Sequence, residues 1–142
     1  MELPFAEDIG HYWQTGKSSP DVWIARAKQV IEELGGEILS EAFGLSGTKA
    51  AFMLVFTVGG NNFKVIWPVL PTRTGKTISA KIQAATLLFH DIKAKAMTAS
   101  ILGTDAAFFS YMMLPDGRTV SELPQPELGQ AFPLQLKQGE LR

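Results

Sequence analysis

The sequence predicts an α+β domain, a three-stranded antiparallel sheet flanked by two helices in the order α-β-β-β-α. Three observations carry this. Apolar residues recur at spacings of three and four after Ser19-Pro20 and stop at Gly35-Gly36. Residues 37–70 alternate in polarity, are rich in β-branched and aromatic types, and are broken by the Gly-Gly-Asn-Asn run at 59–62. A second, longer helical pattern runs from about Ile78 to Leu102 and meets Gly103.

Taken in order, residues 1–18 hold Phe5, Tyr12 and Trp13 without a period. They read as an irregular arm with at most one helical turn, its aromatics docked on the domain or on a neighbouring subunit. The first helix opens at Ser19, an N-cap residue, with Pro20 at the position where a missing N–H costs nothing and Asp21 at the positive end of the dipole. Trp23, Ala27, Val30, Ile31 and Leu34 form its buried stripe. The first strand, 37–43, alternates Ile38, Ser40 and Ala42 with Glu37, Leu39, Glu41 and Phe43, and residues 45–48 turn the chain. The second, 50–58, puts Phe52, Leu54, Phe56 and Val58 on one face. Gly59-Gly60-Asn61-Asn62 signals a hairpin because glycine and asparagine tolerate positive φ. The third, 63–70, carries Pro68, which donates to no ladder and marks an edge or a bulge. On the second helix, Ile78, Ile82, Ala85, Phe89, Ile92 and Ala96 face the core, whereas Gln83, Thr86, His90, Lys93 and Ser100 face away. Residues 104–114 read as a short helix capped by Thr104 or as a strand, with helix favoured. Leu114-Pro115-Asp116-Gly117 is a turn, and 118–122 a further short strand. A C-terminal hairpin or short helix therefore closes the single domain, 19–123. Residues 124–142 turn to Pro, Gln, Gly and Glu and read as an extended tail that Leu128, Phe132, Leu134 and Leu136 would anchor on a partner.

Composition narrows the function classes. The chain has 142 residues, 46% of them hydrophobic, enough for one real core. Mean hydropathy is +0.08, high for a small chain, which suggests that a second subunit covers apolar surface, as in a homo-oligomer. There is no cysteine, which removes disulfides, thiolate catalysis and cysteine zinc sites. No apolar run is long enough to span a membrane, and the acidic N-terminus lacks a signal pattern, so a cytoplasmic location is the default expectation. Charge is unevenly spread. Residues 1–48 carry three bases against eight acids, a net −5; 49–103 carry seven bases against one acid, a net +6; 104–142 carry three against five, a net −2. Either an electropositive face results, or the acidic first helix lies beside the basic elements and cancels their field.

Several motifs fail on inspection. Gly75-Lys76-Thr77 resembles the end of a phosphate loop, but its first glycine would fall at residue 70, where leucine stands, and antiparallel strands are the wrong context. The start of the second helix keeps milder content as an anion site, with Arg73, Lys76 and Lys81 adding charge. His90-Asp91 lacks further ligands, since the other histidine, His11, is distant in sequence, so no metal site or cofactor is expected. Gly44-Leu45-Ser46-Gly47 is no nucleophile elbow, because threonine occupies 48. The scattered carboxylates define no acid/base pair, and no enzymatic activity is expected. Phe52, Phe56, Phe63 and Trp67 would stack bases on an open sheet face but read as core under two helices.

Ala80-Lys81-Ile82-Gln83-Ala84-Ala85, with Leu88 beyond, resembles the Ala-Lys-x-x-Ala-Ala signature that opens the second helix of double-stranded-RNA-binding domains. The two basic residues that precede the signature in that family are replaced here by Thr77 and Ile78. The element order over 20–103 is also similar to the core of single-strand annealing recombination proteins. That resemblance implies a non-enzymatic protein that binds and anneals single-stranded DNA along a basic groove, as a ring or filament. On this reading Lys64, Arg73, Lys76, Lys81, Lys93 and Lys95 neutralise phosphates. The alternative is an oligomeric protein–protein interaction module that binds no nucleic acid.

Overall fold

A computed structural model describes residues 2–12, 18–46 and 49–122. The expected turn residues 47–48 and the tail at 124–142 lie outside the described residues. Helix α1 spans Pro20–Glu33, and Gly35, at φ +86°, turns the chain out of it. Strands β1 (Glu37–Ser46), β2 (Lys49–Val58) and β3 (Asn61–Pro68) form an antiparallel sheet in the order β1-β2-β3. Helix α2 runs Thr77–Leu102, and a short α3, Thr104–Ala107, follows. This is the predicted α-β-β-β-α architecture of the α+β class.

The β2–β3 hairpin closes through Gly59 and Gly60, with φ of +62° and +84°. Val58 pairs with Asn61, so the loop is two residues long and both need positive φ, the conformation that matches the twist of the strands. One face of the sheet carries Phe52, Leu54, Phe56, Phe63 and Val65, all buried. They join Ile24, Ala27 and Ile31 of α1 with Ala84, Ala85, Leu88 and Ile92 of α2 in one core. Phe108, beyond α3, completes it, its ring 5.4 Å from Phe56 and 5.6 Å from Phe63. Trp67 packs on the margin of this core. The sheet aromatics are thus core residues and offer no platform for bases.

Four details depart from expectation. β1 extends to Ser46, and its register slips between Ile38 and Ser40. The bulge inserts Leu39, so Ile38, Glu41 and Phe43 share the core face instead of alternating. Ile78 is 75% exposed, because the first turn of α2 projects past the packed region. Gln83 and Thr86, expected to face away from the core, are buried. The arm covers Gln83, whose amide donates to the carbonyls of Ala6, Ile9 and Gly10 at 2.9, 3.2 and 3.0 Å. The Thr86 hydroxyl is satisfied by Ile82 O at 2.8 Å. Finally, residues 118–122 contribute one bridge, Met113 to Thr119, and a 3-10 turn at Val120–Glu122 in place of a strand. A second bridge, Phe63 to Met112, ties this C-terminal hairpin to the outer edge of β3. Its turn is the expected one: Gly117 has φ +86° and its N–H donates to Leu114 O at 2.9 Å.

Candidate functional site

The six lysines and arginines expected to grip phosphate do not converge. Lys64 lies on the sheet face opposite the core, bonded to Gly117 O at 2.9 Å and paired with Glu122 at 3.4 Å. Arg73 precedes α2 and forms a two-pronged ion pair with Asp8, at 2.9 and 2.6 Å. Lys95 pairs with Asp91 at 3.0 Å and lies over the Tyr111 ring. The Tyr111 hydroxyl donates to the same Asp91, and burial together with that bond holds the phenol strongly in its protonated form. Lys76 stands just ahead of α2, without a side-chain cap bond. Lys81 sits 4.0 Å above the Phe43 ring on the β1 side, and Lys93 is 5.9 Å from Phe89 on the α1 side. The arm therefore neutralises Arg73 and the C-terminal hairpin Lys64, whereas Lys95 is paired within α2. Among the described residues, Lys76, Lys81 and Lys93 have no acidic partner.

A cluster that sequence spacing does not suggest forms where α1 and α2 meet. The buried stripe of α1 centres on Ile24, Ala27 and Ile31, which leaves Trp23 half-buried at its margin. On α2, Leu88 and Ile92 take the core positions and Phe89 occupies the matching margin. The two rings meet at 5.5 Å. The His90 ring is 5.3 Å from Phe89 and 6.1 Å from Trp23. His11 comes from the arm to lie 4.9 Å from His90 at a 30° tilt; its backbone is left-handed, with φ +71°. The Arg26 guanidinium covers Trp23 at 4.7 Å. Lys93 flanks Phe89, and neither cation pairs with an acid among the described residues. Burial, then His11 and Lys93, push the His90 pKa below its ordinary value of 6.5. The local potential is positive.

The histidine pair revises the sequence-based reading, which kept the two residues apart. Their rings meet at a tilt, and no third His, Asp or Glu joins them in a metal-sized group among the described residues. Adjacent Asp91 turns toward Lys95 and Tyr111, so His90 and Asp91 serve different surroundings. What this surface can do chemically is stack on a flat ring and attract an anion. Trp23, Arg26 and His11 were absent from the expected site because each joins it by folding and none by sequence spacing; the one legible sign was the aromatic dipeptide edge Phe89-His90 beside Lys93.

Comparison with known protein families, curated proteins and solved structures finds no match to this chain. Among the described residues, no helix is long and apolar enough to cross a membrane.

Proposed function

We propose that this protein binds single-stranded nucleic acid, without catalysing a reaction on it, through the α1–α2 surface. The observation that carries the reading is the interleaving of Trp23, Phe89 and His90 with Arg26 and Lys93. Rings accept bases of any sequence, and cations beside them accept the backbone. Lys76 at the start of α2 and Lys81 on its β1 side lie apart from this surface. The annealing of complementary strands, which the likeness to recombination proteins suggested, is the process such a surface would serve. Fluorescence anisotropy of a labelled oligodeoxythymidine at rising salt tests it. Binding at micromolar protein that weakens steeply with salt is the expected result; no binding at low salt contradicts the reading.

A second reading, an interaction module built from copies of this chain, is favoured by one specific observation. The C-terminal hairpin bridges β3 at Phe63, and among the described residues β1 has a strand on one side only. Near it Phe43, Leu45 and Ile78 are 41, 77 and 75% exposed. An uncapped apolar edge is a template for a second strand. Two-fold pairing along this edge would bring Phe43 and Leu45 of both copies onto one face. Light scattering is expected to show a dimer that Leu45→Lys dissociates; a monomeric native chain removes this reading.

A further inference from the structure

The acids that neutralise the basic loop are arranged around it in an unusual way. The loop 72–75 ahead of α2 offers donors in one direction. The Arg73 N–H reaches Glu7 Oε2 at 3.0 Å and Oε1 at 3.2 Å, and the Thr74 N–H and Thr74 hydroxyl each reach Oε2 at 3.0 Å. The Arg73 guanidinium takes both oxygens of the adjacent Asp8. The loop holds its own shape, with Gly75 at φ +77° and its N–H bonded to Thr72 Oγ1 at 2.9 Å. The donor set comprises two successive backbone N–H groups, a hydroxyl and a guanidinium fork. That chemistry suits an oxyanion with three oxygens, and two neighbouring carboxylates supply the oxygens here. Desolvation works to raise the Glu7 pKa, but the backbone and Thr74 donors outweigh it and hold the group below its ordinary value.

The arm that brings these acids is also tied to the domain outside the loop. Ala6 N–H bonds Pro71 O at 2.7 Å, Gln83 bonds three arm carbonyls, and Phe5 lies under the Arg73 guanidinium at 4.4 Å. Among these, the Gln83 side-chain oxygen is buried and has no partner among the described residues.

We propose that the arm is an intramolecular competitor for phosphate: Glu7 and Asp8 occupy a phosphate site formed by Arg73 and Thr74 and yield it to the backbone of a bound nucleic acid. The proposal rests on the phosphate-binding reading above and adds its regulation. Displacement frees Arg73 from Asp8, so the loop gains an unpaired guanidinium only when a competing phosphate is present.

Two measurements test it. In the Glu7→Gln, Asp8→Asn chain, inorganic phosphate should shift the Arg73 and Thr74 amide resonances saturably, and about tenfold more tightly than in the native chain. The same double variant should bind single-stranded DNA about tenfold more tightly at low salt. No phosphate-dependent shift in the variant, or equal affinity in both chains, overturns the proposal. Should the variant not fold, hydrogen exchange of the native chain decides. Phosphate should speed exchange at Ala6 and Ile9 beyond what chloride of equal ionic strength does, and equal rates overturn it. Phosphate binding in the variant with no DNA binding by either chain leaves the competition standing for small phosphates and removes the nucleic-acid reading instead.

Discussion

Trp23 owes its reach to a rotation of one position in the stripe of α1. Ile24 takes the core position that periodicity assigned to Trp23, so the indole sits at the margin where a base can approach it. Trp23→Ala is expected to cost single-strand binding about 1–3 kcal/mol, the usual worth of a base–ring stack, with little change in salt dependence. Arg26→Ala and Lys93→Ala should each lower the salt slope by about one unit and leave sequence preference untouched. Titration calorimetry across a salt series separates the two effects. His90 gives a pH test with a defined sign. Its pKa is depressed in the free protein, so it is neutral at pH 7 and carries no charge to a phosphate. A bound anion raises that pKa, so affinity should climb as pH falls through and below 6.5, and His90→Ala should flatten the rise. In stability the sign is opposite: neutral His90 is favoured by folding, and its contribution is present above 6.5 and lost as pH falls through the lower folded value.

At the level of elements, the strands and helices were legible because each carried its own local signal. Ser19-Pro20 and Gly35 bracket α1, and the glycine pair at 59–60 supplies the two positive φ angles that its two-residue loop uses. What sequence could not show was which positions a neighbour would cover. Gln83 reads as solvent-facing on α2, and only the arm folding across it makes it buried. The β1 bulge was equally invisible, because a shift of register leaves the alternation of Leu39 and Phe43 intact while reversing which residues share a face. Gly59 gives a direct test of the hairpin. A Cβ there would run into the Thr104 side chain, and φ is +62°. Gly59→Ala should lower stability by about 1–3 kcal/mol. Gly44→Ala, on β1 with open space around it, should change stability by less than about 0.5 kcal/mol. Urea denaturation of both variants checks the contrast.

Over the whole molecule, the segment 49–103 with its net charge of +6 pointed to a basic face, yet the fold spreads that charge over several surfaces. Arm and C-terminal hairpin neutralise Arg73 and Lys64, so the cancellation envisaged for α1 is carried out by the two ends of the described chain instead. A segmental charge count has no access to this, since it records how many bases a segment holds and not which acids fold onto them. The arm makes the arrangement sensitive to acid. Hydrogen bonds from Arg73 hold Asp8 below its ordinary value of 3.8, and the donors around Glu7 hold it below 4.5. Folding therefore favours both charged forms, so arm docking is complete above those values and is lost as pH falls through the lower folded ones. Hydrogen exchange at Ala6 and Ile9 should accelerate in that acid range before the amides of β2 do.

The claim on which the account turns is that nucleic acid lies across α1 and α2 and not on the sheet. Photo-cross-linking of a halogenated oligodeoxyuridine to the full chain, followed by peptide mapping, reports the contact surface. Adducts at Trp23, Phe89 or His90 are the predicted result. Adducts confined to β1 and β3, or none at protein concentrations well above micromolar, would contradict it.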